Sequence, residues 1–356
     1  MSGEAIKPHV DTTVKANSIG ESQEEQVKVR LGIIGTGIAA RQLHWPALQE
    51  LGDKFEITVI CDRVEERARE FAKLVGGVPY VLDYQEVLKN PDVDAVEILL
   101  PVEYNYEVTK DAIAAGKHII VEKPLAASLE QARQLVELGA KSGKTALLAE
   151  NFRYRTEYLT AKSILDSGRI GKPTSAVWTA LMYMDEQNQF ARSEWRIHHK
   201  YPGGFVTDAG VHRIGALRMI FGDIESGFAF TQSINPNIGS MDQAQILLRT
   251  TGGCDISMLM SFTARGYREE RILVLGTLGS MTIGRDFVDV QIGTDVEHHA
   301  IAPVAGYREE LEDFYNAVAS GTQPQSSLFE GYKDLEVAVK AVEASVAGGK
   351  FQISPS

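Results

Sequence analysis

Cysteine is nearly missing from this chain: Cys61 and Cys254 stand alone among 356 residues, and no CxxC pair exists. That excludes a disulfide framework and a thiolate zinc site. Cys61 lies inside an apolar strand pattern and reads as an inert buried thiol. No apolar run approaches the roughly 18 residues of a membrane span. Positive charge is in short supply: 36 Lys and Arg face 48 Asp and Glu, a formal net charge of -12, with no basic block. Neither nucleic-acid phosphates nor an anionic membrane finds a complementary surface on such a chain. No histidine spacing resembles a metal site, so no metal is expected, and the GxSxG elbow of serine hydrolases is absent.

What is present is an ordinary globular composition, 44% hydrophobic and 24% charged, at a length that suits two domains. Residues 1–26 are polar and of mixed charge, with no apolar core and no arginine. They read as a disordered tail rather than a secretory or twin-arginine signal, which points to the cytoplasm.

From residue 27 onward, apolar strand patterns at 27–34, 55–61, 78–81, 93–100, 117–121 and 145–149 alternate with helical ones. The helices follow the first strand to about Leu51, cover 64–75 and 104–115, and start after Ser128, where Gln131 completes a capping-box pattern. Gly116 suits the end of the third. This alternation predicts a doubly wound parallel sheet of the Rossmann type over 27–151. After Asn151 strand-like runs follow one another at 174–184, 229–234, 244–250, 256–263, 271–275, 280–283 and 288–292. They predict a second α+β domain, 152–356, built on a large, mostly antiparallel open sheet. Its helices fall at 206–220, 307–320 and 331–346, the last two packing back toward the first domain.

Three motifs carry chemistry. Gly35-Thr36-Gly37-Ile38-Ala39-Ala40 follows a strand and opens a helix. The first glycine permits the tight turn, the second lets the backbone approach a pyrophosphate, and the helix N-terminus favours an anion. Asp62, ending the second strand, suits the ribose hydroxyls and favours NAD; Arg63 beside it suits a 2′-phosphate and keeps NADP open. Asp62 also reads as a helix cap before Val64. Glu122-Lys123-Pro124 closes a strand where open α/β sheets bind ligands, and an ammonium there stabilises a developing alkoxide. Asp208 and His212, four residues apart, share a face if 206–220 is helical. Histidine is the usual base near neutral pH, and Asp208 is expected to orient it. His44 reads as structural, His198 and His199 as loop or substrate residues, and His298-His299 as exposed.

Taken together, these residues resemble the glucose–fructose oxidoreductase / inositol dehydrogenase / rhizopine-catabolism (Gfo/Idh/MocA) superfamily. The resemblance spans about 28–350. It rests on the glycine turn, Cys61-Asp62-Arg63, the strand closing at Leu100-Pro101, Glu122-Lys123-Pro124 and Asn151-Phe152-Arg153-Tyr154. Trp195-Arg196, Gly203-Gly204 and Asp208-x-x-x-His212 complete it. It implies catalysis by Lys123, Asp208 and His212. Gly35, Thr36, Gly37, Ile38, Ala39, Asp62, Arg63, Leu100, Pro101, Asn105, Glu122 and Lys123 would line the cofactor site. Asn151, Arg153, Tyr154, Trp195, Arg196 and His212 would face a sugar or polyol. Asn105 departs from the histidine frequent in the family, and Pro202-Gly203-Gly204 replaces three glycines. The resemblance further implies a homodimer or homotetramer through the second sheet, and a cis-like turn at Lys123-Pro124. The reaction read from all this is hydride transfer between a secondary alcohol of a sugar, glycoside or cyclitol and NAD(P). Glycoside cleavage or epimerisation through tightly held NAD, and non-catalytic nucleotide sensing or partner binding, are the alternatives.

Overall fold

Short apolar runs of the first half come together as one six-stranded parallel sheet in the computed structural model, which describes residues 27–353. The tail expected at 1–26 lies outside these. The strands are β1 (Val29–Ile34), β2 (Phe55–Cys61), β3 (Tyr80–Val81), β4 (Ala95–Ile98), β5 (His118–Glu122) and β6 (Ala146–Ala149). Their order, β3-β2-β1-β4-β5-β6, is that of a dinucleotide-binding fold. The strand order reverses between β1 and β4, which opens a crevice at their carboxyl ends. Burial on both faces explains the near-continuous apolar runs: Leu31, Ile33, Ile60, Ile98 and Ile120 are almost wholly inaccessible.

The second sheet has nine strands: β7 (Pro173–Leu181), β8 (Ile224–Gln232), β9 (Gln243–Thr250), β10 (Asp255–Ser261), β11 (Glu269–Gly276), β12 (Ser280–Ile283), β13 (Phe287–Ile292), β14 (Asp295–Ala300) and β15 (Lys350–Gln352). Only β7 and β10 pair in parallel. One face is packed by the helices Thr156–Asp166, Gly204–Phe221 and Leu328–Ala347. The other exposes Val177, Leu247, Leu273 and Leu275. The helix Tyr307–Ser320 returns to the first sheet, where Phe314 stacks on Phe55 at 6.5 Å between ring centres.

Some elements escaped the sequence patterns. The helices Tyr84–Lys89 and Thr156–Asp166 and the edge strands β14 and β15 have too few apolar residues, or too mixed a pattern, to stand out. β8 starts at Ile224, five residues before the apolar run that suggested it, because Gly227 interrupts that run. A Cβ at Gly227 would lie 2.4 Å from the ring of Phe351, so the glycine makes room for β15. Among the described residues no helix is long and apolar enough to cross a membrane.

Candidate active site

The glycine turn sits at the switch point. Gly35 has φ +99°, and a Cβ there would lie 2.4 Å from the carbonyl oxygen of Leu99 at the end of β4. Gly37 is the opposite case: a Cβ would meet nothing within 4 Å, so the backbone is bare toward the crevice. That is the cradle a pyrophosphate requires, and the residues present fit a dinucleotide. Ile38 and Ala39 are half-buried beside it, as are Leu100 and Pro101 across the crevice.

Asp62 ties the turn to β2. Its Oδ2 accepts from the Thr36 N–H at 3.1 Å and hydroxyl at 2.9 Å, while Oδ1 accepts from the Val64 N–H at 2.9 Å. The helix-cap reading of Asp62 needs correction: the helix Glu65–Leu74 is capped at Val64 without a side-chain bond, and the Asp62 contact with the Val64 N–H closes the turn ahead of it. The Arg63 guanidinium lies 5.5 Å over the Tyr104 ring on the open side. Tyr104 was given no role from sequence. Asn105 needs correction as a cofactor contact: it is fully buried, and its Nδ2 donates to the carbonyls of Glu122 at 2.8 Å and Pro124 at 2.9 Å. It secures the turn that carries Lys123.

The Lys123-Pro124 bond is cis. Lys123 Nζ donates to the main-chain oxygen of Asp208 at 2.8 Å and to its Oδ1 at 3.1 Å. Arg196 Nε donates to Asp208 Oδ2 at 2.7 Å. Burial alone would raise the Asp208 carboxyl, but the two cations outweigh it and hold it well below the usual range. The residue is therefore an anion.

His212 stands one turn further along the helix Gly204–Phe221, stacked on Phe152 at 4.8 Å. Its carboxylate partner is not Asp208, whose oxygens are committed to Lys123 and Arg196. Glu150 takes that place, with Oε1 2.5 Å from His212 Nδ1. Sequence reasoning missed Glu150; the available signal was its position just after β6, one residue beyond Ala149, which pairs with Glu122 at the end of β5.

A buried acidic layer lies beneath. His44 bridges Glu97 at 2.8 Å and Glu122 at 3.1 Å. Burial opposes its charge, yet Glu97 and Glu122 prevail and raise its pKa well above the ordinary value. Glu122, despite burial, is held below its ordinary range by His44. Glu310 is fully buried with neither oxygen hydrogen-bonded among the described residues. Burial pushes its carboxyl well up and, against the pull of His44, so do Glu122, Glu150 and Glu97.

Of the residues expected to face a substrate, three are buried ties. Asn151 donates to the Ala305 carbonyl, Arg153 pairs with Asp334 at 2.8 Å and Glu330 at 3.2 Å, and Tyr154 donates to Asp313 at 2.8 Å. Arg196 remains at the site through its bond to Asp208, and its guanidinium lies 4.0 Å over the Trp195 indole. The loop preceding them reaches the first domain, where Gln189 accepts from Gln42 at 3.1 Å. His199 bonds the Ser240 hydroxyl at 2.5 Å. Among the described residues no group of His, Cys, Asp and Glu is arranged to hold a metal.

Comparison with known proteins agrees with this geometry. The model of the oxidoreductase family with an NAD-binding Rossmann fold matches residues 29–150, and that of the GFO/IDH/MocA C-terminal domain matches 158–282. An uncharacterized protein of Saccharomyces cerevisiae, YMR315W, is 32% identical, covering 82% of this chain and 88% of its own. The 1,5-anhydro-D-fructose reductase of Ensifer adhaerens is 28% identical over 91% of this chain and 98% of its own. The crystal structure of an oxidoreductase from Thermotoga maritima superposes with a TM-score of 0.86 at 38% identity, covering 92% of this chain and 98% of that one. The chain belongs to the Gfo/Idh/MocA family of oxidoreductases, with an NAD-binding first domain.

Proposed function

We propose that the protein oxidises or reduces a secondary alcohol of a sugar, glycoside or cyclitol. The observation that carries this reading is the pairing of Lys123, at the carboxyl end of β5 in the dinucleotide-type sheet, with Asp208, one turn before His212 on the same helix. NAD bound in the crevice, held by the Gly35–Ala39 turn, Asp62 and Leu100-Pro101, supplies or accepts the hydride. In the oxidative direction His212 takes the hydroxyl proton. Lys123, fixed by anionic Asp208, donates a hydrogen bond to the oxygen as charge develops. Trp195 and Arg196 offer an aromatic face and fixed donors of the kind hydroxyl-rich rings bind. The 1,5-anhydro-D-fructose reductase among the relatives supports the substrate class.

A screen of sugars, glycosides and cyclitols with NAD(H), followed by absorbance of the reduced nicotinamide, tests this reading. Lys123→Met and His212→Asn are expected to lower kcat by about 10²–10⁴ on the substrate found. Near-normal turnover in both variants overturns the assignment.

A further inference from the structure

Two carboxylates reach the two proton-handling groups of this site, and they do separate work. Asp208 accepts from Lys123 on one oxygen and from Arg196 on the other, and among the described residues it makes no bond to His212. Glu150 is fully buried, and its Oε1 lies 2.5 Å from His212 Nδ1. We propose that Glu150 is the positioning residue of the base: it keeps the proton of the neutral imidazole on Nδ1, aims Nε2 at the substrate hydroxyl and stabilises the imidazolium. The proposal rests on the reading of His212 as the base.

The surroundings are built for this pairing. Gly215 lies on the same helix, and a Cβ there would sit 3.2 Å from Glu150 Cγ and 2.9 Å from Asp334 Oδ2. A side chain at that position would press on the carboxylate. Phe152, two residues beyond Glu150, stacks on the imidazole and fixes its plane. The Phe152 N–H also donates to Glu150 Oε1, at 3.4 Å, and the titratable and charged groups around this carboxylate are His212, Glu310, Tyr307 and, across Gly215, Arg153. Glu310 is pushed toward its neutral form and Arg153 is engaged by Asp334 and Glu330, so neither competes for the imidazole. The neighbouring acid Glu122 has its own cation in His44.

In the proton step the substrate O–H bond breaks and an Nε2–H bond forms. The oxygen keeps the electron pair, which becomes the carbonyl π bond as the C–H bond breaks and its hydride passes to the nicotinamide that NAD would supply. The Nδ1–H stays in place, donated to the Glu150 carboxylate. A carboxylate behind the ring lowers the cost of the charge this creates.

The test is a double-mutant cycle with Glu150→Gln, His212→Asn and the pair, measuring kcat, substrate KM and NADH binding. Glu150→Gln is expected to lower kcat about 10- to 1,000-fold, with KM and NADH affinity within about threefold of wild type. Because the two residues act as one unit, the double variant should be no slower than His212→Asn alone. Fully multiplicative effects, or an Glu150→Gln variant within twofold of wild type while His212→Asn is impaired, overturn the proposal and leave the role of His212 intact. An active His212→Asn variant overturns the parent reading instead. A second readout needs no turnover. The wild-type protein should give a far-downfield proton resonance from the Nδ1–H, lost in His212→Asn. Its absence counts against the pairing even if Glu150→Gln does not fold.

Discussion

Lys123 Nζ lies 3.1 Å from Asp208 Oδ1, across a gap of 85 residues in sequence, while Arg196 takes the other carboxylate oxygen. An anion between two cations is a strong local constraint, and removing it leaves two half-buried positive charges without their shared partner. Asp208→Asn is expected to cost about 3–5 kcal/mol, the usual scale for breaking a buried ion pair. The folded-state pKa is depressed below the ordinary 3.8. The stabilisation is therefore present above that ordinary value and is lost as pH falls through the folded one. Urea unfolding of wild type and variant should differ most near neutral pH and converge in strong acid.

Gly35 and Gly37 should separate folding from cofactor binding. Gly35→Ala places a Cβ against the Leu99 carbonyl at 2.4 Å and forces alanine to φ +99°, so it should destabilise the fold itself. Gly37→Ala meets no protein atom within 4 Å. It should melt near wild type yet bind NAD(H) more than about tenfold more weakly, a loss of 1.4 kcal/mol or more. Thermal melts with and without NADH read both effects; a Gly37→Ala protein that binds normally would remove the pyrophosphate from this turn.

The alternating first half was legible because parallel strands buried on both faces leave continuous apolar runs, and because a glycine with no room for a Cβ cannot drift. The positions of Lys123, Asp208 and His212 followed from strand ends and helical spacing. Partnerships were a different matter. Helical spacing placed Asp208 near His212, but an ion pair is decided in three dimensions, and Lys123 and Arg196 outcompeted the histidine for it. Arg153 and Tyr154 looked like substrate residues because charged and aromatic groups near a site suggest recognition. Their partners, Asp334 and Asp313, come from helices more than 150 residues away. The π-helical turn Ala40–His44 was equally hidden. Pro46 has no N–H for the usual bond, and the wider turn delivers His44 into the interior.

The expected preference for NAD rests on Asp62. Its carboxylate holds Thr36, while Arg63 rests over Tyr104. Parallel titrations should show NAD(H) bound more tightly than NADP(H), with Asp62→Ala losing NAD(H) affinity about tenfold or more. Preference for NADP(H) in the wild type would transfer the role to Arg63.

The outer face of the nine-stranded sheet is the surface through which copies are expected to pair. Leu247, Ser257, Val177 and Leu273 lie in register across β9, β10, β7 and β11, and the three apolar members are exposed. An exposed row in which three of four members are apolar is a candidate interface. Light scattering should report a dimer or tetramer for wild type and a smaller species for Leu247→Glu. A monomeric wild type would leave the face without this role.

His44 should make the protein lose stability on the alkaline side. Unfolded, it releases its proton near 6.5; folded between Glu97 and Glu122, it keeps it to well above that value. The native state thus binds more protons, and stability falls as pH rises. The His44 contribution is complete below about pH 6.5 and disappears as pH passes the folded value. Glu310 acts with the same sign, because its folded carboxyl also titrates above its ordinary 4.5. His44→Gln strands Glu97 and Glu122 without a cation and is expected to cost about 3–5 kcal/mol at neutral pH. Its melting temperature should also vary less with pH above neutrality than that of wild type. Parallel curves for the two proteins would show that the buried histidine is not the group that holds the extra proton.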